Sequence, residues 1–335
     1  MLSPAKNLSA PIAIALVCGC AAEGRPTSGK DGSAAKPIQE NVARTTRTHP
    51  SGTITATLRS DGRPFGVAVS RTGMVYCTLL DAKSLVRTTL QADSLATVAV
   101  DQVPTDVAFS PDGSWAFVTN QWTHALGMVD ARTNQQVHTI PVPGDPYRVA
   151  VGPEGQRVYV TTNTGKLVLI DPAMRRIERT VHLGGNLNGL ALNADGTRIY
   201  VGDVGGALFE LDTAGQVLRG FAMPGRPQGL ALAQDGKELY AAGEDGDFIV
   251  LDLQDGAGIV RVPLGAGGFG LGVTPDQSQV WVTAPNAGRV FVLDRASRTI
   301  RSTIDVGGAP RRLAFDQSGA LAVIADEAGT IRFVR

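Results

Sequence analysis

"VAFSPDGSWAFVTN", residues 107–120, is an apolar triplet, a Pro-Asp-Gly turn and a second apolar run ending in Thr-Asn. Each turn residue has a physical task. Pro presets φ, the Asp carboxylate accepts nearby backbone N–H groups, and Gly takes the left-handed conformation at no steric cost. The stretch therefore predicts two antiparallel strands joined tightly. It returns as "SRTGMVYCTL", "GPEGQRVYVTT", "NADGTRIYVGD", "AQDGKELYAAG", "TPDQSQVWVTA" and "DQSGALAVIAD". The aligned turn positions are Gly73, Gly113, Gly155, Gly196, Gly236, Gln277 and Gly319, separated by 40 to 42 residues. So narrow a period is a structural repeat, and it sets the architecture before domains are counted.

Each copy holds four short strands. After the "YVT"-like run comes a third strand closing on Asp, at Asp130, Asp171, Asp212, Asp252 and Asp294. A fourth then ends near a Gly-x-Pro corner such as Gly144-Asp145-Pro146. The repeated Asp suits the turn that follows it, so we read it as architecture rather than chemistry. A four-stranded unit of about 41 residues, present seven times, is a propeller blade. The expected fold is all-β, a seven-bladed β-propeller over residues 52–335 with four-stranded antiparallel blades. The last copy lacks a fourth strand, whereas residues 53–58 read as one. They are expected to complete blade seven and close the ring, which removes an exposed edge from both terminal blades.

"FVTN" (117–120), "YVTT" (159–162) and "WVTA" (281–284), each after a "PDG"-like turn, resemble the YVTN-repeat β-propeller family. The resemblance implies the fold and leaves the activity open. It spans binding proteins and surface proteins, and related propellers include lactonases and lyases.

The N-terminal residues read differently. Leu8–Val17 is a short apolar run after one Lys, and "VCGC" (17–20) resembles the lipobox of bacterial lipoproteins. Residues 1–19 are thus expected to be a leader and Cys20 a lipidated first residue, with residues 20–51 a disordered Gly/Ser/Pro-rich tether. The expected place is the cell envelope, exported and held to a membrane only by its lipid; the alternative is an ordinary secretory leader. Cys77, in "MVYCTLL", reads as a buried hydrophobe. Lys+Arg and Asp+Glu are 31 each, so the chain as a whole has no electrostatic footprint for duplex nucleic acid.

Two glycine-rich motifs fail on context. "GAGGFG" (265–270) matches the dinucleotide fingerprint, but "LGVTPD" after it reads as a strand where a helix is required. "GRPTSGKD" (24–31) has Asp31 where a P-loop needs Ser or Thr for magnesium, and no strand precedes it. No cofactor is expected. Of the four histidines, His49 falls in the tether and His138 and His182 at like positions on fourth strands. Only His124 is expected on the face that carries the corners. That argues against a His-rich metal site and leaves a carboxylate calcium site open.

The first positions after each corner are expected to ring the channel mouth. They are Phe65-Gly66, Thr105-Asp106, Tyr147-Arg148, Asn188-Gly189, Gln228-Gly229, Phe269-Gly270 and Arg311-Arg312. The four glycines are expected to leave room in the channel. Trp122, His124, Asn163, Asp203, Glu244, Asp245, Asn286, Asp326 and Glu327 should join the mouth from the turns between second and third strands. Aromatic, guanidinium and carboxylate groups on one concave face form the default binding site, the alternative being a solvated ring in which Arg and Asp pair across the rim. Phe65, Tyr147, Trp122 and Phe269 would stack on a ligand, while Arg148, Arg311 and Arg312 would hold anionic groups. The expected role is a non-catalytic scaffold for a small polar ligand, a glycan, a peptide or an envelope protein. The alternative is a lactonase-like hydrolase or lyase, with His124 or Glu244 as base and Arg148 or Arg312 stabilising an oxyanion.

Overall fold

Each repeat folds into a four-stranded antiparallel sheet whose strands run in chain order from the channel outward. Blade one consists of Pro64–Val69, Met74–Leu79, Ser84–Thr89 and Ala96–Ala99. The computed structural model describes residues 49–255 and 258–335. The expected leader, Cys18, Cys20, the P-loop-like segment and the tether up to residue 48 lie outside the described residues.

Blade seven breaks the chain order, as expected. Its inner three strands are Pro310–Phe315, Ala322–Asp326 and Thr330–Val334, and its outer strand is Ile54–Arg59. Leu58 stands opposite Ile331 and Arg59 opposite Thr330. Thr53 and Arg335 exchange backbone hydrogen bonds of 2.6 and 2.7 Å. Thus the ring is an all-β, seven-bladed propeller closed by the N-terminal strand.

The core is divided among the seams between blades. Seven clusters of buried apolar side chains occur among the described residues, each built from two neighbouring blades. At the closing seam, Val67, Cys77 and Val86 of blade one meet Val323, Ile331 and Phe333 of blade seven, with Ala56 and Leu58 packed alongside. Strands covered on both faces explain why the sequence shows apolar runs rather than alternation. Cys77 is fully buried there, and burial pushes its thiol pKa up.

The turn chemistry follows the repeat. Gly113 N–H donates to the Ser110 carbonyl at 2.8 Å, and Gly113 has φ 75°. Gln277 occupies the same place in blade six with φ 64°, and its side-chain oxygen accepts Gln234 N–H at 2.8 Å. The third-strand Asp residues behave as architecture: Asp130 accepts the N–H groups of Arg132 and Thr133, and Asp294 that of Ser297.

The fold also takes up residues 49–51, which the sequence reading gave to the tether. His49 Nδ1 lies 2.8 Å from Asp276 Oδ2 and 3.2 Å from Ser278 Oγ, in the turn of blade six. Ser51 Oγ donates to the Arg335 carbonyl at 2.6 Å. A carboxylate in reach of an imidazole supplies a reason for the chain to dock here before it enters blade seven.

Candidate functional site

Corners between blades and turns between second and third strands share one face of the ring. The corner carbonyls of Val103, Asp145, Arg226 and Ala309 accept N–H groups of Gln121, Asn163, Glu244 and Glu327 in those turns. On this face the inner strands do not pair regularly. The register slips at Pro64/Val67, Pro104/Asp106, Pro146/Arg148, Leu187/Gly189, Pro227/Gly229 and Pro310/Arg312. The residues inside those bulges include Phe65, Thr105, Tyr147, Asn188, Gln228 and Arg311. A bulge re-aims the side chain it carries, and here it repeats around the mouth.

The Thr of the "YVT" run stabilises this device. Thr119 Oγ1 accepts Asp106 N–H at 3.0 Å and lies 3.3 Å from the Tyr147 carbonyl. Thr283 Oγ1 accepts Gly270 N–H at 2.8 Å and donates to the Arg311 carbonyl at 2.6 Å. One hydroxyl thus joins a bulge to the next blade's inner strand. The second-position glycines serve the same approach, and two of them, Gly229 and Gly270, also line the channel cavity, as expected. A Cβ on Gly66 would lie 2.8 Å from Asp106 Cα, and one on Gly229 would lie 2.6 Å from the Phe269 carbonyl oxygen. Neighbouring backbone already occupies that space.

Five of the expected residues converge. The Phe65 ring packs edge-on against Tyr147 and Phe269, with centroids 6.1 and 5.6 Å away. The Arg312 guanidinium lies 5.4, 5.5 and 5.3 Å from the Phe65, Tyr147 and Phe269 centroids. Arg311 lies 4.8 Å from Phe269 and 5.9 Å from Phe65. Glu327 forms ion pairs with Arg311 and with Arg63. Phe65, Phe269 and Arg312 are buried, so the mouth is lidded by its own aromatic side chains. Burial pulls the Arg311 pKa down, with Arg63 and Arg312 adding to the fall against Tyr147 and Glu244.

Asp106 and Arg148 meet one step deeper. Arg148 Nη1 lies 3.1 Å from Asp106 Oδ2, which also accepts Val149 N–H at 3.1 Å. Burial draws the Arg148 pKa down to about 10, and the like charge of Arg312 adds to it. Arg312 has no carboxylate to match: its Nε and Nη2 are buried without a hydrogen-bond partner. Cation–π contacts offset part of that cost, at roughly 2 kcal/mol or less apiece. Burying an unpaired ion costs several kcal/mol, a comparable sum, but the rings lie off the guanidinium faces and give its in-plane N–H donors no acceptor.

The remaining expected residues stand elsewhere on the face. Asn188 Nδ2 donates to Gln228 Oε1 at 2.7 Å, so these two buried amides tie neighbouring blades together. Glu244 pairs with Arg226 at 3.2 Å on the exposed rim. Trp122, 72% exposed, does not belong to the aromatic trio. With His124, Gln121 and Asp145 it lines a separate cavity of about 340 Å³. His124 Nδ1 is 2.8 Å from the Gly144 carbonyl and 3.2 Å from Asp145 Oδ1. His138 and His182 are on outer strands but at different heights, opposite Met128 and Lys166. "GAGGFG" is the corner into blade six, and the strand Leu271–Val273 follows it. Among the described residues no group of three His, Cys, Asp or Glu side chains is placed to hold a metal ion.

Glu327 is at the mouth as expected, but its sharing between Arg63 and Arg311 was not legible in the sequence. Sequence reading missed the bridging role of Thr119 and Thr283. The repeated Thr in "YVT" was the available signal, but its acceptor lies in the next blade, so local sequence does not show it.

No protein-family model matches the chain, and no curated protein matches it. Among solved structures, Kuenenia stuttgartiensis hydrazine synthase contains a similar chain. The likeness has a TM-score of 0.76 at 17% identity and covers 85% of this chain and 99% of that one. The likeness is one of fold.

Proposed function

We propose that this chain is an exported, lipid-anchored protein of the cell envelope, similar to YVTN-repeat propellers, that binds a polar ligand or partner at the channel mouth without transforming it. The supporting observation is the convergence of Phe65, Tyr147, Phe269, Arg311 and Arg312 from blades one, three, six and seven. The half-buried Tyr147 ring and Arg311 guanidinium, backed by the buried Phe65, Phe269 and Arg312, suit a ligand with a planar or sugar-like body and an anionic or carbonyl group. The acid–base candidates are not in that cluster, since Glu244 is paired with Arg226 and His124 lines another cavity. The hydrazine synthase name stays with that protein. Lipid attachment rests on the "VCGC" segment, and mass spectrometry of the mature N-terminus tests it: an unmodified chain starting elsewhere than Cys20 overturns the anchor.

Binding is tested on glycan and peptide arrays, with wild type compared against a Tyr147→Ala/Arg311→Ala variant of unchanged circular dichroism. Signals present in wild type and lost in the variant are expected. Equal signals from both would contradict a mouth site.

A hydrolytic reading has one observation in its favour, the His124–Asp145 contact at 3.2 Å beside Trp122. A carboxylate at Nδ1 leaves Nε2 free to act as a base. The cavity's lining residues include no arginine to stabilise an oxyanion. Lactone hydrolysis abolished by His124→Ala would favour this reading over the scaffold.

A further inference from the structure

The channel contains a cavity of about 100 Å³ that Arg312 shares with the aromatic cluster. Its charged lining is Asp106, Arg148 and Arg312, and its apolar lining includes Val67, Val107 and Leu230. Two guanidiniums against one carboxylate leave one net positive charge. Asp106 Oδ2 is already shared between Arg148 Nη1 and Val149 N–H. Arg312, 4% exposed, keeps Nε and Nη2 unpartnered, and Arg148 keeps Nε unpartnered. Buried polar groups are almost always satisfied, so three orphaned donors around one cavity call for an acceptor.

The identity of the orphans narrows the ligand. Nε and Nη2 form the side edge of a guanidinium, whose parallel N–H groups match the two oxygens of a planar oxyanion. A cavity of about 100 Å³ is small, so the site suits a compact anion of a few heavy atoms. The single net charge matches a monovalent species.

We propose that this cavity binds one small monovalent oxyanion, a free carboxylate or a bicarbonate-sized species, gripped by the Nε–Nη2 edge of Arg312 with Arg148 Nε as a further donor. The site deepens the binding reading above, because the anion fixes the guanidinium whose face supports Phe65, Tyr147 and Phe269. Loss of the anion would free Arg312 and loosen the lid, so occupancy would set the shape of the mouth.

The test is equilibrium urea unfolding of the full chain, in sodium formate against sodium chloride at matched ionic strength. The unfolding equilibrium exposes the cavity in any case, so access to it does not limit the result. A ligand that binds only the folded state raises the midpoint in a saturable way. Wild type, Arg312→Lys and Arg148→Lys are compared, each keeping charge and losing guanidinium geometry. Formate is expected to stabilise wild type saturably, to have no saturable effect on Arg312→Lys, and to act on the order of tenfold more weakly on Arg148→Lys. Equal formate responses in the three proteins, no saturable response in wild type, or an equal response to chloride would overturn the proposal. If Arg312→Lys does not fold, an undiminished response in Arg148→Lys overturns it. Glycylglycine separates a free anion from the carboxylate end of a larger ligand: a response equal to that of formate would overturn the free-anion assignment. The array comparison of Tyr147→Ala/Arg311→Ala reports on the mouth independently.

Discussion

Thr283 and Thr161 occupy matching places in their blades, yet only one has work to do. Thr283 Oγ1 joins Gly270 N–H to the Arg311 carbonyl, whereas Thr161 Oγ1 is buried without a partner. Thr283→Val should therefore cost about 1–3 kcal/mol by stranding two buried groups, and Thr161→Val should be neutral or slightly stabilising. Urea midpoints of the two variants check this; equal losses would mean the hydroxyl bridge carries no weight. Asp276 gives a second test, in acid. Burial disfavours its charge, but hydrogen bonds from Thr274, His49 and Ser278 prevail and hold its pKa at about 2. A carboxyl held below its unfolded value contributes stability that is complete above about pH 4 and disappears as pH falls toward 2. Asp276→Asn should flatten the loss of stability across that window, measured as urea midpoints against pH. An unchanged acid slope would show that His49 docks without help from the carboxylate.

At the scale of strands and corners, the inner strands are set by how closely their backbones approach. Gly66→Ala puts a methyl 2.8 Å from Asp106 Cα, so one strand must shift. Overpacking of this kind costs typically 1–3 kcal/mol. The expected result is a lower thermal midpoint, together with weaker ligand capture, because Phe65 and Asp106 move with their strands. Neutral stability would contradict the close approach. Strand order, turn positions and the structural Asp residues were all legible in the sequence, because each depends on contacts within one repeat. Phe65, Tyr147, Phe269, Arg311 and Arg312 were legible as positions after corners, and those positions face one another in any closed ring. Trp122 was misassigned because a residue type in the right turn does not reveal its reach. The glycines were half legible: Gly229 and Gly270 do line the channel, but only the neighbouring strand shows that a Cβ there would meet backbone. Glu327, shared by Arg63 and Arg311, joins groups far apart in the chain that no local pattern connects.

For the whole molecule, the site and the ring closure are one matter. The cluster draws Phe65 from blade one and Arg311 and Arg312 from blade seven, so it exists only if the seam between those blades is shut. That seam is completed by Ile54–Arg59, with Ala56 and Leu58 packed on the apolar cluster it closes. Each strand hydrogen bond contributes a net of about 0.5–1.5 kcal/mol, and buried apolar area adds roughly 25 cal/mol per Å². The most direct test compares urea midpoints for two truncations, one lacking residues 1–48 and one lacking residues 1–60. The first keeps His49 and the closing strand, and its midpoint should match the full chain. The second loses the strand and should be destabilised by several kcal/mol, with loss of mouth binding. Equal midpoints for the two truncations would contradict a ring closed by its N-terminal strand.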